Sequence, residues 1–269
     1  AFWVAAALAR ANMQLPDASR YLLPGATLIM LAATETARGW RPNRTAVLLI
    51  CAVLPITVVT GHDRLRAGIG TNMVPWAPVV RADVTALDAI EGQVRVDPNS
   101  WQPDPLRAAD ITAALYFDAT SRYGHAGESP EKLRAENPEA REVFDAVVLF
   151  GTGTHPNPSG PPRETPVPVQ IEHEQNAGAS ASGACVVVHS PADGDGFVEV
   201  AVPRGGIHYR ATNQLPQVGL RRVGDAPVDM GPVEAGQWFS LAPPAIKAPG
   251  VWYARFDLAG GRRLLVCGA

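Results

Sequence analysis

Two closely spaced carboxylates, six scattered histidines, the Arg20–Tyr21 pair and a handful of strand aromatics are the side chains in this chain whose types and spacing could do chemistry. Asp193 and Asp195, in the run Pro-Ala-Asp-Gly-Asp-Gly, resemble the opening of a calcium loop or a carboxylate pair for acid–base work. A calcium loop needs further oxygen ligands and a glutamate at its twelfth position, and neither follows, so the run is read as a tight hairpin turn. His62, His125, His155, His173, His189 and His208 never fall into HxxxH or HExxH, and each is read as a surface or strand residue. Around Gly151 to Gly160 the Gly/Pro run lacks the Lys-Ser/Thr of a phosphate loop, and no GxSxG elbow occurs. No catalytic residue, metal or cofactor is therefore expected within this chain.

Binding chemistry is the better-supported direction. Arg20 and Tyr21 stand at the head of an apolar run, where a guanidinium and a phenol could touch the phosphate of a polyprenyl carrier or simply anchor the chain at a membrane surface. Among the strand aromatics Tyr209, Trp238, Phe239, Trp252 and Tyr253, most should be core, and Trp238 and Tyr253 are the best candidates for a platform that stacks on sugar rings. The formal net charge is −3 and Lys and Arg are dispersed, so a nucleic-acid partner is not expected. Cys185 and Cys267 lie near the start and end of the strand-rich region, and are either a disulfide or two reduced core thiols. A bond between them would close a long loop and contribute about 4 kcal/mol in an oxidising compartment.

These residues must be positioned by elements of very different kinds. Tyr21 to Ala37 contains one charged side chain, Glu35, and Thr45 to Thr60 contains none. Each run is a little short of the roughly 20 residues that cross a hydrocarbon core, a gap that tilt and snorkelling can close. Two membrane spans, about 20–37 and 45–61, are expected; the competing reading is a helical hairpin buried in a soluble body. The connector from Arg38 to Arg44 carries three arginines and Trp40, the composition of a short cytoplasmic loop. That orientation puts everything after about residue 62 outside the cytoplasm.

Residues 62–92 read as helix with a break at Pro75. Three further helices follow, with Asp110, Ser129 and Asn137 as N-caps and Gly124 and Gly151 as stops. Phe144, Val147, Val148 and Phe150 should form the buried face of the last. A Gly/Pro-rich stretch, 152–165, reads as a linker. From 166 to 269 short alternating runs recur between turns: VPVQIEH, ACVVVH, FVEVAV, IHYRA, VGLRRV, WFSL, VWYARFDL and RRLLVC. This is the signature of an antiparallel sandwich. Trp252, Ala254, Phe256 and Leu258 should face its core, with Arg255 and Asp257 opposite.

The stretch SRYLLPG, Ser19 to Gly25, resembles the late helices of bacterial GT-C-type membrane glycosyltransferases. The whole arrangement also resembles a group of actinobacterial polytopic membrane proteins, through the helical segment Ile111 to Val148, the strand holding Trp252 and the late Cys267. The resemblance implies that this chain is a C-terminal portion, and that any catalytic acid would lie in an earlier external loop. The expected fold is thus multi-domain: a transmembrane helical hairpin (1–61), an extracytoplasmic helical segment (62–151), a linker (152–165) and an all-β antiparallel, jelly-roll-like sandwich (166–269). The implied partners are the lipid bilayer and a polyprenyl-phosphate-linked sugar or cell-envelope glycan. Two functions stay open: an external accessory domain of a glycosyltransferase-like protein, or a non-enzymatic, membrane-anchored envelope protein whose sandwich binds glycan or protein.

Overall fold

The computed structural model describes residues 74–105, 111–162, 167–215, 217–247 and 250–269, together with 35, 43–45 and 63. The expected spans at about 20–37 and 45–61, and with them Arg20 and Tyr21, fall outside the described residues save for 35 and 45. Among the described residues no helix is long and apolar enough to cross a membrane. The chain divides into two compact units, Ala1–Ala67 and Gly68–Ala269.

Within the second unit, helix α1 (Val74–Ile90) begins with Pro75 in its first described turn and continues past Pro78 without a break. A proline so near a helix start costs little, because the amide hydrogens there have no intrahelical acceptor. Val79, Ala82, Ala86 and Ile90 recur at helical spacing and are fully buried. Helix α2 (Ala113–Tyr123) is capped by Thr112, whose Oγ1 accepts from Leu115 N at 3.3 Å, so the cap falls two residues after the expected Asp110. Gly124, at φ 87°, ends it in a conformation that other residues rarely adopt. A single turn, α3 (Pro130–Leu133), follows Ser129.

Helix α4 (Pro138–Gly151) starts at Asn137, whose side chain accepts from Ala140 N at 2.8 Å. Phe144, Val147 and Val148 are buried as expected, whereas Phe150 is 62% exposed and rests against Trp101. The 3.6-residue period explains this: Phe144, Val147, Val148 and Gly151 share one face, and Phe150 points away from it.

Among the described residues eleven strands follow: β1 (Asn157–Ser159), β2 (Gln170–Gln175), β3 (Gly178–Ser182), β4 (Cys185–His189), β5 (Gly196–Val202), β6 (Ile207–Ala211), β7 (Gln217–Arg221), β8 (Val228–Asp229), β9 (Trp238–Leu241), β10 (Trp252–Leu258) and β11 (Arg263–Gly268). They form a six-stranded sheet of order β1-β9-β6-β11-β4-β3 and a five-stranded sheet of order β2-β5-β10-β7-β8. Every pairing is antiparallel. Alternation decides which side chains meet between the sheets: on β10, Trp252, Ala254, Phe256 and Leu258 are buried while Tyr253, Arg255 and Asp257 are half-buried on the other face. Tyr209 sits fully buried at the centre, its ring 4.9 Å from Phe256 and 5.9 Å from Phe239.

Two local expectations are revised. Residues 191–195 do not turn a hairpin, because β4 and β5 belong to different sheets and the Asp193–Asp195 run carries the chain from one to the other. The Gly/Pro-rich stretch does not merely link, since Asn157, Pro158 and Ser159 pair with Ser240, Phe239 and Trp238 as an edge strand. Proline is tolerated at such an edge, where one side of the strand needs no ladder bond.

Helices and sandwich share one continuous apolar core. Asp145 of α4, fully buried, accepts the backbone N–H groups of Arg222 (2.7 Å), Val223 (3.0 Å) and Gly224 (2.8 Å) in the turn after β7. Burial pushes the Asp145 carboxyl above its ordinary range, and the three N–H groups oppose that rise. Arg141 grips Asp225 with both terminal nitrogens, at 2.8 and 2.5 Å. The turn that receives α4 is therefore held by charge-assisted hydrogen bonds as well as apolar contact.

Candidate functional site

The outward face of the five-stranded sheet carries a lattice of aromatic and charged side chains. Register places Asp257 opposite Phe197, Arg255 opposite Glu199, and Tyr253 opposite Ala201 on one side and Arg221 on the other. Cross-strand neighbours on one face lie close enough to interact directly. Glu199, only 4% exposed, receives Arg221 in a two-pronged contact, Nε to Oε1 at 2.9 Å and Nη2 to Oε2 at 2.6 Å. That contact is the main reason the Arg221 guanidinium is held even more firmly protonated than usual. The same guanidinium lies 5.1 Å from the centre of the Tyr253 ring.

At the other end of β10 the pattern repeats with a more open geometry. The Arg255 guanidinium stacks on Phe197, 3.8 Å from the ring centre, and His173 meets that ring at 5.3 Å. Arg255 Nε donates to Asp257 Oδ1 at 2.9 Å. Its two terminal nitrogens have no hydrogen-bond partner among the described residues, so the plane is fixed while the donating edge stays available. Phe197, Arg255 and Asp257 border a cleft of about 490 Å³, walled also by Gln175, Asp195 and Ala259. Gly196 forms part of its floor, where a side chain would run into the carbonyl oxygens of Gln175 and Asn176. Asp195 and Asp257 accept hydrogen bonds, Arg255 donates, the Gln175 amide does both, and Phe197 supplies an apolar edge. That mixture suits a ligand carrying many hydroxyl groups on an apolar ring.

The two aromatic candidates from the sequence do not come together. Tyr253 lies on this face, and borders a second depression of about 280 Å³ to which the helical layer contributes Arg134 and Arg141. Trp238 is on β9, on the outward face of the other sheet, with the Arg210 guanidinium 5.2 Å above its ring. A shared platform is ruled out because β9 and β10 belong to opposite sheets. Phe197 joins the site from outside the sequence candidates, although its own strand carries the signal: in Phe197-Val198-Glu199-Val200-Ala201-Val202 the inward parity belongs to the valines, which leaves the aromatic outside.

Cys185 and Cys267 are register partners on β4 and β11, with Cα atoms 4.3 Å apart, and their sulfurs are bonded. Such a short separation is that of an antiparallel pair without mutual backbone hydrogen bonds, where side chains approach most closely. Among the described residues no cluster of His, Cys, Asp or Glu could hold a metal ion.

No protein-family model and no curated protein matches the chain. Similar solved structures include a family 29 carbohydrate-binding module complexed with cellohexaose, at 9% identity, TM-score 0.27, covering 37% of this chain and 77% of that one. A second structure of a family 29 module matches at 11% identity and TM-score 0.28, covering 43% and 82%. A third, complexed with mannohexaose, matches at 11% and 0.27, covering 42% and 84%. At these scores the likeness carries no argument about what this chain binds.

Proposed function

We propose that the sandwich is a glycan-binding module whose ligand lies on the outward face of the five-stranded sheet, centred on the cleft at Phe197, Arg255 and Asp257. One observation carries this reading: a guanidinium already stacked and tethered presents its free edge into an open cleft, beside two carboxylates. A sugar hydroxyl both gives and receives a hydrogen bond, so it can bridge Arg255 and a carboxylate at once. Because the arginine is already ordered, little side-chain entropy is lost on binding. The test is affinity electrophoresis and calorimetry of the full chain against soluble neutral polysaccharides. Binding should appear, and Phe197→Ala and Asp257→Ala should each weaken it about tenfold, equivalent to about 1.4 kcal/mol. Absence of binding to any polysaccharide, or full retention by both variants, defeats the reading.

A second reading concerns the setting of the module. The apolar runs Tyr21 to Ala37 and Thr45 to Thr60, and a bonded cysteine pair of the type that persists in oxidising compartments, favour an external domain on a polytopic membrane protein. In that setting the module is either an accessory domain of a glycosyltransferase-like protein or the binding part of a non-enzymatic envelope protein. A topology reporter fused after residue 160 should be active only outside the cytoplasm. Activity confined to the cytoplasm removes this setting without touching the cleft.

A further inference from the structure

The geometry points to a second site, distant in sequence from the cleft, that takes a small oxyanion such as a phosphate or carboxylate group. It is a cavity of about 190 Å³ where the end of α1, the end of α4 and the start of β1 meet the segment after β9. A depression of this size suits a small molecule or a single substituent of a larger one.

The charge of the lining is one-sided. Arg95 is the single charged side chain among the residues that wall the cavity. No carboxylate or other hydrogen-bond acceptor among the described residues engages its guanidinium. The Arg95 backbone is fixed by its N–H, which donates to Gly151 O at 2.8 Å, and its side chain lies across Gly153, within van der Waals reach of where a β-carbon would be. An arginine held at its base, with an unclaimed fork, matches the two oxygens of a carboxylate or phosphate.

Hydrogen-bond bookkeeping around it fixes which neighbours donate and which accept. His155 Nδ1 is 2.7 Å from Gly153 O; a carbonyl can only accept, so Nδ1 carries the hydrogen and Nε2 is the open position. Thr152 Oγ1 donates to Val148 O at 2.8 Å, which uses its one hydrogen. The 2.8 Å contact between Thr152 and Thr154 is therefore donated by Thr154, whose oxygen is left as an acceptor. Asn157 gives one amide hydrogen to His155 O at 3.0 Å and keeps the other. The site thus offers a cationic fork and an amide donor beside two acceptors, the Thr154 hydroxyl oxygen and His155 Nε2. That pattern fits an oxyanion with a hydroxyl of its own, such as monohydrogen phosphate or a 2-hydroxy carboxylate. Pro243 and Pro244 form the facing wall and have no N–H to compete.

The experiment titrates the full chain with inorganic phosphate and, separately, with lactate, read by calorimetry at constant ionic strength. Saturable binding of at least one is expected, and which one binds separates a phosphate source from a carboxylate source. Arg95→Gln should weaken it about tenfold or more. Arg95→Lys, which keeps the charge but loses the fork, should recover only part of that loss. Arg255→Gln in the glycan cleft should leave it unchanged. Arg95 is exposed and makes no side-chain hydrogen bond or ion pair among the described residues, so its variants should fold; circular dichroism matching the parent checks this. Failure of both anions to saturate overturns the proposal, as does undiminished affinity in Arg95→Gln.

Discussion

The two outward faces of the sandwich are built on the same rule, and each carries an arginine over an aromatic ring, but only one holds a disulfide and only the other sets carboxylates beside its arginines. Both sheets turn alternate residues toward one shared core, with Val188, Tyr209, Leu264 and Val266 from one and Val198, Val200, Leu220 and Phe256 from the other. Outward, the six-stranded sheet sets the Cys185–Cys267 bond among Val187, Leu265, Ser180 and Ser182, with Trp238 and Arg210 toward one edge. The five-stranded sheet sets two arginine–aromatic–carboxylate groups, Arg255/Phe197/Asp257 and Arg221/Tyr253/Glu199. One face is joined covalently and turns Arg210, Arg263, His189, His208 and several serines outward from its strands, but no carboxylate. The other is joined by hydrogen bonds and cation–π contacts, of which one group keeps free donors. Inward residues specify the fold, and the outward positions apart from the disulfide and the Arg221–Glu199 pair are where binding chemistry can change with least disturbance to it.

The sharpest way to break that division is to cut the covalent side. Cys185→Ser with Cys267→Ser should lower stability to urea by about 4 kcal/mol, given the 82-residue separation, while glycan affinity measured well below the unfolding midpoint stays within about twofold. Loss of affinity in the folded variant would show that the faces are coupled. Next comes the attachment of the helical layer to the five-stranded side: Asp145→Ala strips three buried N–H groups of their acceptor and should cost about 3 kcal/mol. Equilibrium denaturation of this variant checks the magnitude, and a change below 0.5 kcal/mol, on the order of an ordinary surface substitution, would deny the anchor its role.

A smaller effect separates the faces directly. Arg255→Ala should weaken glycan binding about tenfold, whereas Trp238→Ala on the opposite face should leave it unaltered. The reverse result would move the site to the six-stranded sheet. Smallest of all is a change in the shared core. The Tyr209 hydroxyl is buried with no hydrogen-bond partner among the described residues, and burial pushes its ionisation well above the ordinary range. Tyr209→Phe removes that unsatisfied group and should raise stability by about 1 kcal/mol, visible as a higher thermal midpoint, with binding unaffected.

Much of this fold was legible because its signals are local. Eight alternating runs fall on β2, β4, β5, β6, β7, β9, β10 and β11, and Asn137, Gly124 and Pro138 mark helix ends by side-chain capping and backbone preference. The strands that were missed, β1, β3 and β8, are short or carry Gly, Ala, Ser and Pro, so they show no apolar alternation. They exist because a neighbouring strand offers unpaired backbone groups, which is not a property of their own residues. Tyr253 was legible as a candidate for stacking on a sugar ring, and the structure places it half-buried on the outward face of β10. The outward parity of Phe197 was legible too, but its stacking partner Arg255 was not, and Arg95 and His155 gain their roles from segments far away in the chain.

Alternation, caps and turn residues, which depend on neighbours within four positions, are enough to determine from the sequence an α-helical stretch followed by an antiparallel sandwich, and to say which side of β10 faces inward. Which strands share a sheet was decided only in three dimensions, and with it the separation of Trp238 from Tyr253, the meeting of Arg255 with Phe197, and the closeness of Arg95 to His155. Those outcomes follow from the sum of long-range pairings around one common core, and no single window of the chain contains that sum.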